Sequence, residues 1–173
     1  MIDVFMEREW PSPLTEPGFW QEAEGGLDCM PLYNVKWLES YLAVDGSRLV
    51  CHFHSPDLES IRTYLRQTDT AYVAVWSGSA HDVGLDLEPN VLVERNFDEA
   101  VTLDSIQAME DAGAQCLQMR QVTFITTLFS RDRKRMLCLY HAPDAQSVRE
   151  AQEEAGMPWD RVWACKLLQS SEN

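Results

Sequence analysis

Four histidines, at positions 52, 54, 81 and 141, are the residues best suited to chemistry. Three of them fall in segments that read as β-strands. Cys51-His52-Phe53-His54 alternates in character, and side chains on a strand alternate with period two, so His52 and His54 share one face. His141 ends a similar run, Cys138-Leu139-Tyr140-His141, just before an Ala-Pro-Asp helix start. Imidazole is a common ligand for nickel, zinc and copper, and it titrates near neutrality. His52, His54 and His141 are therefore the candidate ligands of a divalent transition metal. The competing reading is a polar lining or a surface pair with no ion. Structural zinc of the paired-cysteine kind is excluded, because the five cysteines form no Cys-x-x-Cys. No serine nucleophile elbow, phosphate-binding glycine loop or nucleotide fingerprint is present.

Two acids recur in equivalent places, Glu7 and Glu94, each in an opening strand. A carboxylate held in a strand needs a partner. Arg8, Arg48, Arg95 and Arg135 would supply ion pairs, and His54 or His141 would make Glu7 or Glu94 a proton acceptor or a ligand's support. Tyr41 and Trp37 are core residues by type, and both would also suit the wall of a ligand cleft. Cys51 and Cys138 alternate with apolar neighbours and read as small core side chains, as do Cys29 and Cys116.

The elements that must position these residues are written twice. A shift of 87 positions brings Cys51 to Asp57 over Cys138 to Asp144 without a gap. It also lays Cys29 over Cys116, Trp37 over Phe124, Arg48 over Arg135 and Trp76 over Trp163. A constant offset that preserves rare residue types marks a tandem duplication. Each copy reads strand, helix, strand, strand, helix, strand. The opening strands span 3–9 and 90–97, and the first helices 15–30 and 102–117, with Pro17, Gly18, Gly25 and Gly26 weakening the first of these. A hairpin at Asp45-Gly46 joins strands 35–44 and 48–54, and the second copy turns through residues 131–134. Pro-Asp pairs at 56–57 and 143–144 open the second helices. Closing strands cover 71–76 and 159–168.

The order βαββαβ, repeated, predicts an α+β fold of two tandem ferredoxin-like repeats, residues 1–82 and 88–173, with a linker at 83–87. Each sheet has apolar residues on both faces, and a module of about 80 residues with one face uncovered is marginal. The expectation is therefore packing of the repeats through their sheets, as an intramolecular α+β barrel.

Composition narrows the partners. Fourteen Lys plus Arg against 28 Asp plus Glu give a net charge of −14, which repels nucleic-acid backbones. No apolar run reaches the ~18 residues of a membrane span, and the acidic start lacks a signal-peptide pattern. The odd cysteine count without paired spacing suits a reducing compartment, so a cytoplasmic location is expected.

The run Val35-Lys36-Trp37-Leu38-Glu39-Ser40-Tyr41, followed by Cys51 and His54-Ser55-Pro56-Asp57, resembles a small family of bacterial ferredoxin-like proteins described as nickel-binding or of unknown function. The second copy adds Glu94-Arg95, the Cys138 to Asp144 segment and Gly156-Met157-Pro158-Trp159-Asp160. It departs from the family pattern at Thr126-Thr127-Leu128, and the first copy departs at Asp69-Thr70-Ala71. The resemblance implies a small metal-binding protein, with Ni²⁺ ahead of other divalent transition metals; the residues alone make no cofactor obligatory. Two alternatives come from the fold. One is an α+β-barrel enzyme or small-molecule binder of the monooxygenase or isomerase type, and the other an oligomerising interaction module. Tyr41 faces Leu128 in the repeat alignment and His52 faces Leu139, so any cleft is expected nearer the first copy, beside His52, His54, Tyr41 and Glu7.

Overall fold

The computed structural model describes residues 1–170. The chain is α+β, with the βαββαβ order present twice. The first copy comprises β1 (Ile2–Glu9), α1 (Glu16–Leu27), a 3-10 turn (Met30–Tyr33), β2 (Lys36–Ala43), β3 (Arg48–Ser55), α2 (Leu58–Gln67) and β4 (Ala74–Asp82). The second comprises β5 (Val91–Asn96), α3 (Leu103–Met119), β6 (Thr123–Ser130), β7 (Arg135–His141), α4 (Ala145–Ala155) and β8 (Arg161–Gln169). Two compact units result. Met1–Ser79 and the segment from Lys166 onward form one, and Ala80–Cys165 the other.

In the first unit, β1 pairs antiparallel with both β3 and β4, and β2 pairs with β3. In the second, β5 pairs with β7 and β8, and β6 with β7. Both are the ferredoxin-like order. Alternation then sorts the side chains. Val4, Met6, Leu49, Cys51 and Phe53 point into the cluster formed with Phe19 of α1 and with Ile61 and Leu65 of α2. Their neighbours Phe5, Val50 and His52 take the opposite face. In the second unit Val91, Val93, Met136, Cys138 and Tyr140 meet Ile106 and Val148 in the same way.

The helix starts are capped as their sequences suggest. Asp57 accepts from Ser60 N at 2.7 Å and Asp144 from Ser147 N at 2.6 Å. Thr102 and Ser105 form a reciprocal capping box. Each such cap is worth about 1 kcal/mol. The Asp45-Gly46 turn also holds: Gly46 has φ +73°, and a Cβ there would meet the Leu14 carbonyl oxygen at 2.4 Å.

Two boundaries differ from the sequence reading. α1 stops at Leu27, and residues up to Tyr33 tighten into the 3-10 turn, whose second residue is Pro31. β4 begins at Ala74 and runs to Asp82, through polar residues that by composition resemble a linker. Backbone pairing with β1 places Ser77 and Gly78 in the ladder regardless of their low strand propensity. Among the described residues no helix is long and apolar enough to cross a membrane.

Candidate metal-binding cluster

Three adjacent strands of the first unit converge on one patch of the sheet face away from α1 and α2. The β1–β3 register sets Asp3 opposite His54 and Phe5 opposite His52. Between β2 and β3 the register slips at Trp37/Glu39. Trp37 pairs with Phe53 on the helix-facing side, whereas Glu39 pairs with His52 on the other. Without the extra residue, Glu39 would follow Trp37 to the helix side, since i and i+2 share a face. The bulge turns it toward His52.

The resulting geometry is tight. His52 Nε2 lies 2.7 Å from Asp3 Oδ1, and His54 Nε2 lies 3.2 Å from the same oxygen. One ligand atom from each of Asp3, His52 and His54 fits within a span of 4.8 Å. His52 is buried, its side chain 7% exposed and its ring 4.7 Å from that of Phe5. His54 is 45% exposed and gives the cluster its opening to solvent. Glu39 Oε1 stands 3.7 Å from His52 Nδ1, in ion-pair range but too far for a hydrogen bond, so Nδ1 is buried with no hydrogen bond. Glu39 itself is held by the Tyr41 hydroxyl, which donates to Oε1 at 2.5 Å, and by the Gln169 amide, which donates to Oε2 at 3.1 Å.

Burial disfavours the charged form of His52, but the Glu39 and Asp3 carboxylates outweigh it and hold His52 above the usual histidine range. Burial likewise works against the Glu39 carboxylate. Contacts from His52, Tyr41 and Gln169 overcome that and keep it below the usual glutamate range. The cluster is thus an imidazole pair with carboxylates that favour a cation between them, whether a proton or a metal.

The other residues singled out by sequence lie elsewhere. His141 is in the second unit, where Nδ1 donates to the Glu88 carbonyl oxygen at 2.8 Å. Glu7 is buried, and accepts from Trp76 Nε1 at 2.7 Å. Glu94 is buried between Arg135 (2.8 Å), Arg161 (3.1 Å) and Trp163 Nε1 (2.9 Å), the ion-pair alternative raised by the recurring arginines. Neither glutamate belongs to the histidine cluster. Trp37 donates to Ser40 Oγ at 2.9 Å within the helix-facing core. Cys51 is also core, and burial pushes its thiol up to about 12. His81 is an exposed residue of β4.

Asp3 and Glu39 are the members that sequence reasoning missed. Both lie in segments read as strands, but only the pairing register puts a carboxylate beside each histidine. The repeat offset carries the one available signal: Asp3, Glu39 and His52 correspond to Asn90, Thr126 and Leu139, so the three change together. A concavity of about 570 Å³ opens beside the cluster, with His52, Glu39, Lys36 and Gln169 in its wall.

These observations can be set beside known proteins. Residues 92–164 match the family of nickel responsive proteins like SCO4226. The match covers the second repeat, less than half of the chain. The crystal structure of SCO4226 from Streptomyces coelicolor A3(2) is similar at 19% identity, covering 42% of this chain and 90% of that one, with a TM-score of 0.39. Two further structures are similar over nearly the whole chain and show the fold alone. A haem-binding protein from Thermus thermophilus has 10% identity, coverage of 97% and 91%, and a TM-score of 0.51. TA0507, provisionally named a chlorite dismutase, has 10% identity, coverage of 96% and 94%, and a TM-score of 0.50. Among curated proteins none matches this chain.

Proposed function

We propose that this protein binds a divalent transition metal through Asp3, His52 and His54, with Glu39 as the supporting carboxylate and Ni²⁺ the first candidate. The observation that carries the reading is the 4.8 Å span of three ligand atoms from three side chains, one of them a buried histidine. Two imidazoles and a carboxylate form a nitrogen and oxygen donor set that suits nickel, zinc or copper, and the nickel-responsive match of the second repeat ranks nickel first. The cluster lies on the first repeat. The positions equivalent to Asp3, Glu39 and His52 carry Asn90, Thr126 and Leu139, and of these only Asn90 lies outside the matched residues.

A bound ion would hold the imidazoles in their neutral form and replace the proton that the carboxylates now favour. Asp3 is placed to bridge or ligate, since one oxygen already faces both Nε2 atoms. Glu39 faces Nδ1 of His52 and sets the orientation of that ring, the role a carboxylate commonly plays behind a ligating histidine. His54, the most exposed of the three, provides the entry.

Calorimetric titration of the protein, purified without a histidine tag, with Ni²⁺ tests the proposal. One ion per chain should bind, and His52→Ala or His54→Ala should weaken it by at least about tenfold each, as loss of one ligand implies. Equal weak binding by wild type and both variants would sink it.

A further inference from the structure

On the opposite face of the same sheet, the first unit holds a partly open cavity of about 500 Å³ under α1 and α2. Its floor is apolar, made by Met6, Leu49, Phe53 and Leu65, with Trp37 and Phe19 at one side. Arg8, Glu22 and Asp69 supply its charges, and Arg8 already pairs with Glu22 at 3.1 Å.

The second unit shows what fills this space when the fold is closed. There Arg95, the counterpart of Arg8, is almost completely buried. It donates to Gln152 Oε1 at 2.7 Å, to Tyr140 Oη at 3.1 Å and to the Pro158 carbonyl oxygen. Tyr140 in turn donates to Glu110 Oε1 at 2.6 Å. The counterparts of Glu110, Tyr140 and Gln152 are Ala23, Phe53 and Leu65. All three lose their polar groups, and Ala23 loses most of its volume. With no partner inside, the Arg8 guanidinium reaches outward to Glu22 and stacks over Trp10 at 4.5 Å, while Nε donates to the Ala71 carbonyl oxygen. The helices follow suit. Gly113 lets α3 press on α4, so that a Cβ there would come within 2.6 Å of Ala155 Cβ. In the first unit the equivalent glycine, Gly26, instead faces the Tyr64 hydroxyl of α2, which a Cβ there would meet at 2.6 Å, and the 3-10 turn lies against both α1 and α2.

We infer that this cavity is a binding site for an uncharged, largely apolar organic molecule, distinct from the metal cluster and not dependent on it. Its size is that of a small-molecule site, and its lining joins the apolar floor to a smaller polar part from Tyr64, Gln67, Thr68 and Thr70 besides the charges. The floor side chains Met6, Leu49, Phe53 and Leu65 carry no group that would pair with a charge. Its single cation is already neutralised, and Asp69 leaves the rim with an excess negative charge, so an anion is disfavoured.

The neutral fluorescent dye N-phenyl-1-naphthylamine provides the test, read by its emission and by quenching of tryptophan. Wild type should bind one dye per chain, and the sulfonated analogue 8-anilinonaphthalene-1-sulfonate should bind at least about tenfold more weakly. Ala23→Phe fills the interior and should weaken the neutral dye at least about tenfold. If that variant does not fold, Gly25→Phe replaces it: a Cβ at Gly25 meets nothing within 4 Å, and a ring there would obstruct the mouth. His52→Ala should leave dye binding unchanged. No saturable binding to wild type, wild-type affinity in the filled or obstructed variant, equal affinity for the sulfonated dye, or loss of dye on His52→Ala would each overturn the inference.

Discussion

The two units share a topology, a bulge position and a capping scheme, yet they use their interiors differently. In the second unit a buried arginine donates through both terminal nitrogens to a tyrosine, a glutamine and a carbonyl, with its Nε left buried and unpaired, and its helices close over it. In the first, the equivalent arginine has moved to the rim, a cavity stands beneath the helices, and the other sheet face carries a histidine and carboxylate cluster. The difference teaches that one copy can be held by a buried polar network while its twin has a cavity and a histidine–carboxylate cluster instead. Four substitutions in register account for most of it: Glu110, Tyr140, Gln152 and Leu139 stand where the first copy has Ala23, Phe53, Leu65 and His52.

The largest effect should come from breaking the sealed network. Arg95→Ala leaves Tyr140 and Gln152 buried around a void, and is expected to cost about 3 kcal/mol, read as a lower urea midpoint. Arg8→Ala, at the equivalent place, should cost about 1 kcal/mol or less, because its ion pair is near solvent. Equal losses would mean that the two arginines do the same work.

Helix closure comes next. Gly113→Val forces a side chain against Ala155 and should destabilise by about 1–3 kcal/mol. Gly25→Ala in α1 meets open space and removes a flexible helical glycine, so it should stabilise by up to about 1 kcal/mol. Thermal unfolding of the two variants gives the opposite signs directly.

The cluster in the first unit should respond to pH, and the second unit has no counterpart for its buried histidine. His52 is raised, so its interaction with the carboxylates stabilises the fold fully below about pH 6.5 and is lost as pH rises through its folded value. Glu39 is lowered, so its contribution is present above about pH 4.5 and is lost as pH falls through its folded value. Metal binding runs the other way from His52 protonation. Ni²⁺ affinity should rise with pH, by about tenfold per unit for each proton displaced, until His52 is neutral. Calorimetry in buffers of different ionisation enthalpy would count the protons. An affinity flat between about pH 6 and 8 would remove His52 as a ligand.

The smallest effects belong to the support of that histidine. Glu39→Gln should lower the pKa of His52, seen by NMR titration of its ring proton, and Tyr41→Phe should do so less, since its hydroxyl acts through Glu39. A larger shift from Tyr41→Phe than from Glu39→Gln would contradict the order of contacts.

Much of the architecture was legible along the chain. The 87-residue offset, the Asp-Gly hairpin and the Pro-Asp helix starts are local or periodic signals, and a fold made of caps, turns and alternating strands leaves them in the sequence. Alternation alone put His52 and His54 on one face. The recurring arginines raised an ion pair as one of two readings for Glu94, and Arg135 makes it, with Arg161 and Trp163 added from the neighbouring strand.

What the sequence determined by itself, then, was the duplicated βαββαβ order, the acidic character and the shared face of two histidines. Each follows from residue type, spacing or count. The recruitment of Asp3 and Glu39 was decided by strand pairing, because a carboxylate in one strand meets an imidazole in another only once the register is set, and here a single bulged residue sets it for Glu39. The cavity too was decided in three dimensions. Ala23, Phe53 and Leu65 are ordinary apolar residues in separate elements, and the cavity exists only where α1, β3 and α2 bring them together beside Arg8.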